Sequence, residues 1–90
     1  MKLTKNQIIE TIETTCRMNC YQYWAWDEAL TDVWIPGNNE LVRVVVKDDE
    51  LVVSNVIKEL TFAIDELDYP YDQELALTIY RLSFTDYSHL

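Results

Sequence analysis

Glycine and proline are scarce in this chain of 90 residues, which has one glycine and two prolines. So few chain breakers leave little room for flexible linkers, and the length suits a single domain over residues 1–90. The sequence also lacks any apolar run near the roughly 20 residues that cross a bilayer. The first residues carry no apolar signal-peptide core, so we predict a cytoplasmic protein.

Residues for catalysis and metal binding are few as well. His89 is the only histidine, and no motif pairs a nucleophile with a base, so we predict neither an enzyme nor a cofactor. Cys16 and Cys20 would share one face of a helix and could supply half a zinc site, but the other half is missing. We interpret them as packed, reduced thiols and predict no metal site.

Basic residues are outnumbered, with 7 Lys and Arg against 16 Asp and Glu and a net charge of −9. Nine of the acids lie between Asp48 and Glu74, where Lys58 is the only base. Such a charge argues against direct binding to nucleic acid or to a membrane, and it favours a basic partner. A purely solubilising role for the acids remains open at this stage.

The apolar pattern predicts an α+β domain with an N-terminal helix, a small antiparallel sheet and two C-terminal helices packed on it. The helix over 4–18 begins with a capping box, and the hairpin spans about 41–53. A second helix over 55–67 would follow Ser54 as its N-cap, and Asp72 would cap a third over 73–85. Residues 19–34 fit a strand or an extension of the first helix equally well.

Five carboxylates flank Tyr69, Pro70 and Tyr71 over 65–74, a pattern typical of an interface that meets Arg and Lys. The acids of 48–50 lack the spacing of a calcium loop, so we interpret them as a hydrated hairpin turn. The predicted partner-binding residues are Asp48, Asp49, Glu50, Asp65, Glu66, Asp68, Tyr69, Tyr71, Asp72 and Glu74. The alternative is a homodimer or an interaction module that uses the aromatic segment 21–34 and its tryptophans.

The segment Cys-Tyr-Gln-Tyr-Trp-Ala at 20–25, the hairpin followed by Ser54-Asn55-Val56-Ile57, and the Tyr80, Phe84, Tyr87 pattern resemble small phage and mobile-element proteins. The size, the charge and the α+β order also resemble acidic phage inhibitors, including anti-CRISPR proteins that imitate DNA. These resemblances imply a mobile-element origin and a basic nucleic-acid-binding partner such as a Cas effector. They would place the protein in the cytoplasm of the host cell.

Overall fold

Four antiparallel strands form one sheet in the computed structural model, which describes residues 3–24, 26–29, 31–37 and 40–83. Consecutive strands are neighbours in the sheet, so the chain forms a simple meander. The elements in chain order are α1 (Lys5–Met18), β1 (Asp32–Pro36), β2 (Leu41–Val46), β3 (Glu50–Ser54), β4 (Glu59–Ala63), a 3-10 turn (Ile64–Glu66) and α2 (Gln73–Ser83). The fold is therefore α+β, as predicted.

Both helices pack on one face of the sheet. Alternate strand residues face them, because successive side chains of a strand point to opposite faces. The core they form includes Ile12, Val33, Val42, Val53, Leu75 and Ile79. The opposite face carries Trp34, which lies directly across from Arg43 on the neighbouring strand.

The local signals for α1 and for the central hairpin are confirmed. Thr4 caps α1 by accepting a hydrogen bond from the Gln7 backbone, and the Gln7 side chain accepts one from the Thr4 backbone. β2 and β3 pair in antiparallel register, with Val44 opposite Val53. β-branched residues fill this pair because they pack well on a pleated surface.

The predicted helix over 55–67 is wrong, and within the described residues α2 is the only α-helix that follows the sheet. Asn55 does not continue into a helix because its side chain closes a turn, with Oδ1 accepting from the backbone N–H groups of Ile57 and Lys58 at 2.8 Å each. Ser54 belongs to β3 and pairs with Glu59. The apolar residues in this region fit a helical period and a strand period alike, and pairing with β3 selects the strand.

Of the segment 19–34, residues 32–34 belong to β1, whereas the described residues before them (19–24, 26–29 and 31) form neither a strand nor an extension of α1. The backbone N–H of Trp24 instead donates to the carbonyl of Trp34 at 2.9 Å, so this irregular segment runs beside the edge of β1. Asp27 holds the turn before β1 by accepting from the backbone of Thr31 and Asp32. These two N–H groups lower the pKa of the Asp27 carboxyl.

The β1–β2 turn and the start of α2 are each closed by a local hydrogen bond. The N–H of Gly37 donates to the carbonyl of Glu40 at 2.9 Å between β1 and β2, and residues 38 and 39 lie outside the described residues. Asp72 caps α2, as predicted, by accepting from the N–H of Leu75 at 2.8 Å. The predicted extension of α2 over 84–85 lies outside the described residues.

Candidate protein-binding surface

The β2–β3 turn and the 3-10 turn meet at one end of the sheet. The backbone N–H of Ile64 donates to the carbonyl of Asp49 at 3.1 Å. Glu50 lies directly across from Ala63, and residues opposite each other in antiparallel strands have Cα atoms about 4.5–5.5 Å apart. Two acidic groups distant in sequence thus become neighbours. We call them the acidic end, which consists of Asp48, Asp49, Glu50, Asp65 and Glu66.

A cleft between β4 and the start of α2 continues this surface. The cleft has a volume of about 220 Å³, and it is lined by Glu66, Asp68 and Glu74 together with the half-buried ring of Phe62. The three carboxylates belong to exposed residues. We call these four residues the acidic cleft. Because Glu66 belongs to both groups, the acidic end and the acidic cleft form one continuous surface.

Basic residues compensate this surface only in part. Lys47 Nζ lies 4.0 Å from Glu50 Oε1, and both side chains are about half exposed. Such exposed pairs contribute about 0–1 kcal/mol to stability. Lys58, the only base within the acidic stretch, lies in the β3–β4 turn, roughly 16 Å away along β4 at about 3.3 Å per residue. Lys58 is therefore at the opposite end of that strand from the acidic end.

Asp72 is the one predicted binding carboxylate that the fold buries, at 5% exposure. Its Oδ1 accepts from the N–H of Leu75, and its Oδ2 accepts from the N–H of Asp68 at 2.9 Å. One carboxylate thus caps α2 and fixes the loop before it. Asp72 also lines the acidic cleft, but because both of its oxygens accept backbone hydrogen bonds we assign it to the stability of the fold.

The two predicted tyrosines connect the loop before α2 to α1. The Tyr69 hydroxyl donates to Glu10 Oε2 at 2.6 Å, and this hydrogen bond raises the pKa of the phenol. The Tyr71 hydroxyl accepts from Asn19 Nδ2 at 3.2 Å. Tyr69 keeps 44% of its surface exposed, whereas Tyr71 is half-buried. Of these two tyrosines, Tyr69 therefore offers the larger aromatic surface to a partner.

The aromatic segment divides into packed and exposed rings. Tyr21 donates its hydroxyl to the carbonyl of Ala76, and Trp26 donates Nε1–H to Glu13 Oε2 at 3.1 Å. Trp24 remains 53% exposed, and among the described residues it is not one of the side chains that pack on the hydrophobic core. Of the alternative interface 21–34, Trp24 and Trp34 are thus the accessible rings.

Sequence reasoning missed a second exposed patch on the sheet face opposite the helices. The Arg43 guanidinium lies 5.3 Å from the centroid of the Trp34 ring and also forms a salt bridge with Asp32. Leu41 and Val56 extend this patch into a cleft of about 260 Å³. Polar and apolar residues do not alternate along β1 (Asp-Val-Trp-Ile-Pro) or β2 (Leu-Val-Arg-Val-Val-Val), so no sequence pattern placed Trp34 and Arg43 together.

The two thiols lie in different environments. Cys16 is fully buried, and burial raises the pKa of its thiol to about 12, whereas Cys20 is exposed. Within the described part of the chain, no three histidine, cysteine or acidic side chains lie close enough to hold a metal ion. His89 lies outside that part.

Comparisons with known proteins do not assign the chain to a family. No protein-family model matches the sequence, and searches among curated proteins and among solved structures gave no match. No helix in the described ranges is long and apolar enough to cross a membrane. Any functional conclusion must therefore come from the surfaces of this chain itself.

Proposed function

We propose that the protein is a phage or mobile-element inhibitor that binds a host nucleic-acid enzyme through the acidic end and the acidic cleft. These carboxylates would occupy a site whose Arg and Lys residues normally hold phosphates or the bases of a short recognition motif. The specific form of the proposal is an anti-CRISPR protein that acts on a Cas effector in the host cytoplasm.

The observation that carries the proposal is the contact between the β2–β3 turn and the 3-10 turn. The Ile64–Asp49 hydrogen bond brings two acidic groups together that are separated in the sequence. Charges closer than the screening length, about 10 Å at 0.1 M salt, act together on an approaching partner. A basic cleft would therefore meet a combined negative field, which accelerates association and excludes partners of the same sign.

The chemistry of the surface fits recognition of Arg and Lys. Carboxylates accept charge-assisted hydrogen bonds from guanidinium and ammonium groups, and a guanidinium can bind both oxygens of one carboxylate. The exposed ring of Tyr69 lies in the same loop as Asp68 and adds apolar area and a surface for cation–π contacts. Direct binding of nucleic acid or of an anionic membrane is not part of the proposal, because both would be repelled.

Capture from a bacterial lysate tests the proposal. The immobilised protein is incubated with nuclease-treated lysate, washed at ~0.1 M and then ~0.5 M salt, over which the screening length falls from about 10 Å to roughly 4 Å. We expect a nucleic-acid enzyme to be retained at low salt and released at high salt. Added DNA or RNA that occupies the site of this enzyme should prevent its capture. Capture that competing nucleic acid leaves unchanged would contradict mimicry.

The second candidate function is an interaction module or homodimer that uses Trp24 and Trp34. The supporting observation is that both rings are exposed, at 53% and 36%, and the Arg43 guanidinium lies over the Trp34 ring. This surface would bind through apolar area, so its affinity should change little with salt. Trp24→Ala and Trp34→Ala should then abolish binding. Light scattering on a size-exclusion column would report whether the partner is a second copy.

A further inference from the structure

β4 is an edge strand of the sheet. Within the described part of the chain only β3 pairs with it, so the side of β4 that faces away from β3 is open. Hydrogen bonds at both ends of the β3–β4 pair show which residues of β4 direct their backbone groups to β3. The N–H of Asn55 donates to the carbonyl of Lys58, and the N–H of Ile64 donates to the carbonyl of Asp49. In an antiparallel pair, every second residue directs its backbone N–H and C=O to the neighbour. Residues 58, 60, 62 and 64 therefore bond to β3.

The intervening residues of β4 direct their backbone groups the other way. Glu59 and Thr61 present their N–H and C=O to the open edge. Ala63 presents its N–H there, because its carbonyl accepts the first hydrogen bond of the 3-10 turn. All three residues are exposed. Natural edge strands are usually protected from further pairing by charges, prolines or bulges. The sequence Glu-Leu-Thr-Phe-Ala of β4 carries a single charge and no proline. This edge is therefore competent to pair with another strand.

Apolar side chains next to this edge are incompletely covered. Leu60 and Phe62 are half-buried, although they face the same side of the sheet as Val53 and Leu51, which are fully buried. The helices thus cover the centre of the sheet better than its β4 edge. Phe62 also lines the acidic cleft, so the open backbone, an apolar ring and a group of carboxylates lie side by side.

We propose that an extended basic segment of the partner adds to β4 as a fifth strand. Its backbone would bond to Glu59, Thr61 and Ala63, as in other complexes formed by strand addition. An apolar side chain of the segment would cover Phe62, and Lys or Arg side chains would meet the carboxylates of the acidic cleft. Charge complementarity selects this occupant, and the basic character of the partner rests on the function proposed above.

Ala63→Pro tests strand addition with little risk to the fold. Ala63 has φ −71°, close to the −65° that a proline ring imposes. The N–H that proline lacks is one that faces the open edge, so pairing with β3 stays intact. Such a proline leaves stability unchanged or raises it slightly. Ala63→Thr is the matched control, because it also adds side-chain bulk but keeps the N–H.

The probe is a short fluorescein-labelled peptide of alternating valine and arginine, and its anisotropy is measured with the full chain at ~0.1 M salt. We expect Ala63→Pro to bind at least tenfold more weakly than wild type and Ala63→Thr to bind normally. A peptide of equal arginine content that is interrupted by prolines should not bind, because it cannot form a strand. Equal binding of both peptides, or equal binding by wild type and Ala63→Pro, would overturn the proposal.

The same variants separate this inference from the proposed function. If Ala63→Pro still captures the nucleic-acid enzyme from lysate while charge reversal of the acidic end abolishes capture, strand addition fails and the function stands. If both changes abolish capture, strand addition is supported. A wild-type protein that is dimeric by light scattering and becomes monomeric in Ala63→Pro would assign the edge to a second copy and overturn the basic segment as its occupant.

Discussion

Replacement of Asp72 by alanine should destabilise the fold strongly, although Asp72 belongs to the acidic stretch. The change removes two hydrogen bonds accepted by a carboxylate of 5% exposure, from Leu75 at 2.8 Å and from Asp68 at 2.9 Å. The loss of an N-cap costs about 1 kcal/mol. A hydrogen bond to a charged acceptor contributes about 1.5–3 kcal/mol. We therefore expect a loss of about 2–4 kcal/mol.

Asp72→Asn should lie between wild type and Asp72→Ala. Asparagine is as good an N-cap as aspartate, so the bond from Leu75 survives. Its amide nitrogen cannot accept the N–H of Asp68, and that loss costs about 1–2 kcal/mol. Asp68→Ala is the matched control, because it removes an exposed acid from the same loop but keeps the backbone N–H. Its effect should stay within about 0.5 kcal/mol.

Thermal unfolding followed by circular dichroism measures this series. For a domain of 60–100 residues, 1 kcal/mol corresponds to about 4–8 °C, so Asp72→Ala should melt roughly 10–25 °C below wild type. The expected order of Tm is wild type and Asp68→Ala, then Asp72→Asn, then Asp72→Ala. A Tm for Asp72→Ala within about 3 °C of wild type would refute the capping role, since even the N-cap alone should have a larger effect.

Two further predictions concern the packing of the β1–β2 turn and the thiols. Gly37→Ala would place a Cβ atom 2.5 Å from the Cβ of Ser83, so we expect a loss of about 1–3 kcal/mol in urea unfolding; an unchanged midpoint would contradict this contact. Folded protein should release one equivalent of chromophore from a disulfide thiol reagent at neutral pH, because Cys20 is exposed and burial raises the pKa of Cys16 to about 12. The second equivalent should appear only in denaturant, and Cys20→Ser should abolish the first. Two equivalents from the folded wild type would contradict the burial of Cys16.

Local signals predicted those elements whose stabilising contacts lie close in the sequence. The capping box at Thr4 and Gln7 and the cap at Asp72 use groups three residues apart, so the sequence contains all that is needed. The β2–β3 hairpin was recognised for the same reason. β4 was mistaken for a helix because its identity depends on pairing with β3, and because Asn55 was not recognised as a turn residue that accepts from Ile57 and Lys58.

The charge of the candidate surface was visible in the sequence, but its geometry was not. Composition predicted that the acids of 48–74 dominate the net charge. Whether 48–50 and 65–66 lie together depends on the register of β3 and β4 and on the Ile64–Asp49 bond, which no local pattern encodes. The burial of Asp72 and the bond between Tyr69 and Glu10 likewise require the tertiary structure. Trp34 and Arg43 were not grouped because their contact also depends on strand pairing.

Charge reversal in the acidic end tests the central claim most directly. Asp65→Lys and Glu66→Lys are compared with Glu28→Lys, which makes the same charge change on an exposed residue of the loop before β1. All three should melt close to wild type, since changes at exposed positions usually stay within 0.5 kcal/mol.

Capture of the nucleic-acid enzyme from nuclease-treated lysate at ~0.1 M salt is the decisive readout. Like charges placed in an interface cost several kcal/mol, and 1.4 kcal/mol is a tenfold change in affinity. The account predicts that Asp65→Lys and Glu66→Lys each lose more than tenfold in capture, while Glu28→Lys captures as wild type does. Equal capture by all four proteins, or an equal loss in all three variants, would contradict the assignment of binding to the acidic end.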